Sequence, residues 1–255
     1  MIKNKRKYNS TVTPIFIADP KNYWVVSIIS GTILWFVGFI LWQQQQIDKT
    51  ILFFFNPARI ASDQIIVLSK YLSSCGMAAI TVLFLLYLLS SRKFKTLDAP
   101  QTIYFYTICS FGLSGIAGDL FKEVIARPRP SITFENEILV LSDSLTPAIP
   151  SGHATKSIAL ILPFLLLVTT SKNIHKVMKI VILLIASGIC FSRIALGAHY
   201  FSDVIAGVGM AMIGFPFSLL FANMVLLKVD QKRLTKLVLV WAFALVFLTV
   251  IFIIL

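Results

Sequence analysis

Seven apolar stretches, each close to the length of a membrane-crossing helix, constrain this chain more than any other feature. They run over 23–42, 72–90, 102–121, 153–170, 180–196, 203–226 and 237–255. An α-helix rises 1.5 Å per residue, so about 20 apolar residues match the ~30 Å hydrocarbon layer of a bilayer. Hydrophobic residues make up 57% of the 255 positions and charged residues 13%. A soluble domain of this length has no core large enough to hide so much apolar surface. The expectation is an all-α, polytopic membrane helix bundle. Pro216 falls inside the sixth stretch, where a membrane helix accommodates it with a kink. The first stretch ends in Trp42-Gln43-Gln44-Gln45-Gln46 rather than in a small-residue cleavage site, and reads as a retained signal anchor.

A formal net charge of +12 would suggest nucleic acid as the partner of a soluble protein. Here the charges follow the spans instead, and no nucleic-acid partner is expected. Lys3, Lys5, Arg6, Lys7, Lys21, Arg92, Lys93, Lys95, Lys172, Lys176, Lys179, Lys228, Lys232, Arg233 and Lys236 all fall on one side of the bundle. By the positive-inside rule that side is the cytoplasm. The chain then divides into a basic cytoplasmic N-terminus (1–22), a membrane core (23–226), and a cytoplasmic loop with an additional C-terminal transmembrane helix (227–255). Within the core, 47–71 is too polar to span and reads as an amphipathic segment at the interface. Residues 122–152 form an outer loop. His175, among the lysines of a cytoplasmic loop, reads as solvated. Cys75, Cys109 and Cys190 lie in apolar segments with no metal-like spacing and read as small buried hydrophobes.

The opposite face carries cations that the positive-inside bias should have removed. Three clusters stand out. KEVIARPRPS leaves the third span with Lys122, Arg127 and Arg129, and Pro128 and Pro130 end the helix. PSGHATKS opens the fourth span: Pro150 and Ser151 stand where a helix begins, and Gly152 brings its N–H within reach of a ligand. SRIALGAHYFSD joins spans five and six and carries Arg193, His199 and Asp203. Each cluster taken singly has an ordinary reading as snorkelling or helix punctuation. Together they place Lys122, Arg129 and Arg193, two histidines and a carboxylate at one membrane depth, where charge costs roughly 2.5–3.5 kcal/mol per residue at mid-bilayer. A metal site would need more carboxylates and fewer competing cations. The set therefore suits an anion, and phosphate best, because the Arg fork and a helix N-terminus both match its oxygens. On a helix Asp203 lies within reach of His199 four residues earlier, holding one ring proton and freeing the other nitrogen as a nucleophile. His153, with no carboxylate near it in sequence, suits a general acid. Arg127 reads as a headgroup contact or a solvated loop residue.

These residues resemble the three-part signature of the type 2 phosphatidic acid phosphatase family. K-x6-R-P is matched by Lys122-EVIARP-Arg129-Pro130, P-S-G-H by Pro150-Ser151-Gly152-His153, and S-R-x5-H-x3-D by Ser192-Arg193-IALGA-His199-YFS-Asp203. The resemblance covers roughly 23–226. It implies a six-helix membrane core and a metal-independent, cofactor-free phosphatase. It further implies that His199 becomes a phosphohistidine oriented by Asp203, that His153 protonates the leaving group, and that Lys122, Arg129, Arg193, the Ser151 hydroxyl and the Gly152 N–H hold the phosphoryl oxygens. Ile149 stands where the family often has an aromatic residue, and the seventh span exceeds the six-helix core. The expected substrate is a lipid phosphate or diphosphate at the outer face of the cytoplasmic membrane: undecaprenyl diphosphate, phosphatidic acid, phosphatidylglycerol phosphate or a lipid A. Glu135, Glu137 and Asp143, in the loop between the first two motifs, would select against a highly anionic headgroup if they faced it. A lipid phosphotransferase would use the same residues. A transporter or headgroup receptor would need the cations but not the His199–Asp203 dyad.

Overall fold

The apolar stretches are long, rich in Leu, Ile, Phe and Ala, and bounded by Pro, Asn, Asp or Gly, which are the conditions for helices with few interior breaks. The computed structural model describes residues 20–56, 63–94, 100–134, 137–142, 144–168 and 173–254. Among these the regular structure is entirely helical: α1 (Pro20–Gln43), α2 (Gln45–Phe55), α3 (Asp63–Phe94), α4 (Pro100–Ile125), α5 (Pro130–Thr133), α6 (Gly152–Leu167), α7 (Asn173–Ala195), α8 (Phe201–Leu226) and α9 (Gln231–Ile254). Among the described residues each of the seven expected spans falls on a helix, with α6 ending at Leu167 and α7 at Ala195. Tyr23–Gln43, Asp63–Tyr87, Asn173–Ala195 and Phe201–Leu226 are each long and apolar enough to cross a bilayer. At 16 residues, α6 is shorter, about 24 Å.

α8 is the central helix, packed against α1, α4 and α6, while α3 packs against α7 and α9. Phe215, Ala211 and Leu219 of α8 meet Phe164, Leu160 and Ile161 of α6 in the main buried cluster. A smaller cluster at one end of the bundle joins Leu52 and Phe53 of α2 to Ile138, Ala154, Ile194, Tyr200 and Val204. The outer surface stays apolar: Val26, Ile33 and Ile40 on α1, Leu184 on α7, Phe217 on α8 and Phe243 on α9 are exposed. Large contiguous apolar surface of this kind fits a lipid environment, and the protein is an integral, multi-pass membrane protein. The C-terminal helix α9 buries Leu234, Val238 and Ala242 against α3 and α4.

Two expectations are corrected by the structure. Segment 47–71 is not one interfacial strip: α2 ends at Phe55 and α3 has begun by Asp63, nine residues before the expected start of the second span. Nor does α2 simply rest on a surface, because Asp48 is buried within the protein. His175 is not solvated. It is buried at the start of α7, with Nε2 2.9 Å from the Tyr87 hydroxyl. Of the loop acids, Glu135 and Asp143 lie outside the described residues, while Glu137 forms an exposed 3.1 Å ion pair with Lys49. Much of the basic N-terminus also lies outside them.

Candidate active site

The end of α4, the start of α6 and the α7–α8 turn meet at one end of the bundle, where backbone hydrogen bonds stitch them together. Ser151 N–H donates to the Asp203 carbonyl at 2.9 Å, and Ala148 N–H donates to the Arg127 carbonyl at 2.8 Å. The approach of α6 to α8 is close enough that a Cβ at Gly207 would stand 2.7 Å from the Ser151 carbonyl oxygen. Any side chain there would force the two helix starts apart.

How α7 ends decides where His199 stands. The N–H groups of Ala198 and His199 both donate to the Arg193 carbonyl at 3.1 Å. Gly197 turns the chain with φ +68°, a left-handed conformation that glycine adopts without a Cβ penalty. A Cβ at this position would also stand 2.8 Å from the Leu139 carbonyl oxygen. The turn lifts His199 off the helix axis and back over Arg193. His199 thus precedes α8 rather than lying on it, and its pairing with Asp203 is formed across a helix start.

His199 and Asp203 are both buried, with Nδ1 3.2 Å from Asp203 Oδ2. The same carboxylate oxygen accepts the Tyr200 N–H at 3.0 Å. An ionised carboxylate only accepts, so this contact assigns the imidazole proton to Nδ1. The other ring nitrogen, Nε2, faces Arg129 Nη1 at 3.4 Å. Burial first, and then the charges of Arg129, Arg193 and Lys122, hold the His199 imidazole well below its usual value of 6.5. At pH 7 it is therefore neutral, with its lone pair on Nε2.

The cations lie around this pair. Arg129 donates through Nε to the Thr146 carbonyl at 2.7 Å, through Nη2 to the Thr146 hydroxyl at 3.0 Å and through Nη1 to the Ala198 carbonyl at 3.0 Å. Arg193 donates to the hydroxyls of Ser73 and, at 3.1 Å, Ser142. Lys122 is buried beside the α6 start: a Cβ at Gly152 would stand 3.7 Å from its Nζ. His153 occupies the first turn of α6, half-buried. Two polar atoms at the expected phosphate positions, Ser151 Oγ and Arg193 Nε, are buried without a hydrogen-bond partner among the described residues. Buried polar groups are normally satisfied, so such a pair calls for an explanation. An oxyanion held between them supplies one.

All eight site residues expected from the sequence (Lys122, Arg129, Ser151, Gly152, His153, Arg193, His199 and Asp203) thus stand at this end of the bundle. The clearest departure is Arg127. It is neither solvated nor turned toward a headgroup but buried, bridging Asp203 and Asp48. Asp48, Ser202, Ser73 and Thr146 also belong to the site's surroundings without having been singled out. A signal for Asp48 existed, since it is the one acidic residue between positions 20 and 62. Its partner, 79 residues away, had none.

The fold and this cluster define the class: an integral membrane helix bundle with a buried histidine–aspartate pair ringed by cations at one end. Comparison with known proteins gives the family. A family model described as "PAP2 superfamily" matches residues 102–228, and through this region the chain belongs to that superfamily. Among solved structures, the chain is similar to the "first transmembrane PAP2 type phosphatidylglycerolphosphate phosphatase from Bacillus subtilis", with a TM-score of 0.57 at 18% identity over 80% of this chain and 98% of that one. No curated protein matches the sequence.

Proposed function

We propose that this protein is a lipid phosphate phosphatase, removing phosphate from a monoester or diphosphate whose tail lies in the bilayer. The observation that carries the reading is the buried pair of a neutral His199 and an ionised Asp203 among Lys122, Arg129 and Arg193, with Ser151 Oγ and Arg193 Nε unpartnered beside it. Membership of the PAP2 superfamily supports it. Nε2 of His199 attacks phosphorus and the bond to the lipid oxygen breaks, while His153 supplies the proton that this oxygen takes up. In the second half, His153 accepts a proton from water, whose oxygen attacks the phosphohistidine. Phosphate leaves, and His199 is neutral again. The cations, the Ser151 hydroxyl and the Gly152 N–H stabilise the phosphoryl oxygens as charge builds. Each such donor is worth about 2.7–4 kcal/mol by comparison with oxyanion-hole deletions. The positive-inside distribution of Lys and Arg supports a site on the outer face of the cytoplasmic membrane.

The test is phosphate release by the purified protein from a panel comprising phosphatidic acid, phosphatidylglycerol phosphate, undecaprenyl diphosphate and a lipid A phosphate. Release from at least one member, undiminished by EDTA, is the expected result. Loss of activity on chelation, restored by a divalent cation, would contradict the metal-free scheme. No release from any member, with free phosphate still bound, would instead favour a headgroup receptor or transporter.

A further inference from the structure

Two arginines leave α4 only two residues apart, yet they do different things. Arg129 turns toward Nε2 of His199. Arg127 turns away from it, behind the dyad, and both of its terminal nitrogens are committed: Nη1 donates to Asp203 Oδ1 at 2.5 Å and to the Ser202 hydroxyl at 2.6 Å, and Nη2 donates to Asp48 Oδ2 at 2.8 Å. The guanidinium carbon lies 3.9 Å from the Tyr200 ring centroid and 5.4 Å from that of Trp42. Arg127 and Asp48 are 4% and 1% exposed.

Asp48 completes the arrangement from α2. Its Oδ1 accepts the Ser202 N–H at 3.0 Å, and its Oδ2 accepts the Ser202 hydroxyl as well as Arg127. It therefore satisfies a first-turn N–H of α8, which has no partner within the helix. Asp203 is gripped at both oxygens, with Oδ1 held by Arg127 and Oδ2 by the Tyr200 N–H and His199. A carboxylate held this way cannot rotate, and its ionised form is compensated in a dry site. For Arg127 to reach a phosphate instead, it would have to leave two buried carboxylates without their cationic partner, which is strongly unfavourable.

We propose that Arg127 is the positioning residue of the His199–Asp203 pair, locked in that role by Asp48 of α2, and that it is not a ligand of the phosphoryl group. The assignment of His199 as nucleophile rests on the function proposed above; the positioning of its ring by Arg127 does not. The three arginines then divide: Arg129 and Arg193 bind the anion, while Arg127 fixes the carboxylate that fixes the nucleophile. It follows that α2, which lies outside the region matched by the family model, is part of the reactive machinery.

The experiment compares full-length wild type with Arg127→Lys, Arg127→Gln, Asp48→Asn and Arg129→Gln in nanodiscs. It measures kcat, KM, inhibition by orthovanadate, and the 15N spectrum of the labelled His199 ring. Loss of an outer partner of an essential group typically costs about 10–100-fold. Arg127→Gln is expected to lower kcat by about 100-fold, and Arg127→Lys and Asp48→Asn by about 10-fold. KM and the vanadate inhibition constant should stay within about twofold of wild type. Arg129→Gln should raise both by at least about tenfold, as loss of a charged contact to the anion predicts. In the 15N spectrum, wild-type His199 should carry its proton on Nδ1, and Arg127→Gln should lose that single tautomer. A weakened vanadate affinity with unchanged kcat in the Arg127 variants would make Arg127 an anion ligand and overturn the proposal. An unchanged His199 tautomer in a folded Arg127→Gln or Arg127→Lys protein would overturn it too. The spectrum needs no substrate, so it decides the matter even if wild type releases no phosphate, an outcome that would sink the phosphatase reading alone.

Discussion

His199→Ala is expected to release phosphate at least about 10,000-fold more slowly than wild type, in line with loss of the nucleophile or base in hydrolases that work through a covalent intermediate. Substrate should still bind, because alanine removes the attacking atom while Lys122, Arg129, Arg193 and Ser151 keep their places around the anion. The protein should also fold: Asp203 loses one partner but keeps Arg127 on Oδ1 and the Tyr200 N–H on Oδ2. Phosphate release by a folded His199→Ala protein at the wild-type rate would remove His199 from the chemistry altogether.

The second large effect concerns the scaffold. Gly209→Val should destabilise the protein by about 3 kcal/mol, the upper end of what overpacking usually costs. At this point α1 and α8 touch backbone to backbone: a Cβ on Gly209 would lie 2.6 Å from the Gly31 carbonyl oxygen and 2.7 Å from Trp35 N. Two backbones cannot move aside as a flexible side chain can, so α1 must be pushed off α8 along much of its length. Without a hydrophobic drive between helices in lipid, association relies on such close packing, and small residues make it possible. Gly112 provides the control. It lies within α4 with nothing inside 4 Å of its Cβ position, so Gly112→Ala should be neutral or stabilising by up to about 1 kcal/mol. Thermal midpoints in detergent measure both. An unshifted midpoint for Gly209→Val would mean that α1 and α8 do not pack as described.

Much of this architecture was legible because lipid imposes a simple rule. A helix facing hydrocarbon must be apolar along about 20 residues, and each stretch that met the rule became a helix. Motif residues were legible for the complementary reason, since a charge at membrane depth needs a purpose. What stayed hidden depended on pairing across the chain. Asp48 and Arg127 are 79 positions apart, and no local pattern says that an acid on one amphipathic segment will meet an arginine in a distant loop. His175 misled because lysines surround it in sequence, whereas the helix periodicity that buries it against Tyr87 involves a different span. The early start of α3 is masked in the sequence because Lys70, Ser73 and Ser74 dilute the apolar pattern. Ser73 is nonetheless a partner of Arg193, so the residue that blurred the span belongs to the site.

If His199 carries the phosphoryl group between the lipid and water, a phosphohistidine forms in every turnover. Rapid quenching of the purified enzyme with a substrate labelled in its transferable phosphate measures this directly. The expected result is a stoichiometric protein-bound phosphate that is labile in acid and stable in base, located by peptide mapping to His199 and absent from His199→Ala. An acid-stable label on a hydroxyl residue, or a wild-type enzyme that turns over with no protein-bound phosphate at any time, would contradict it.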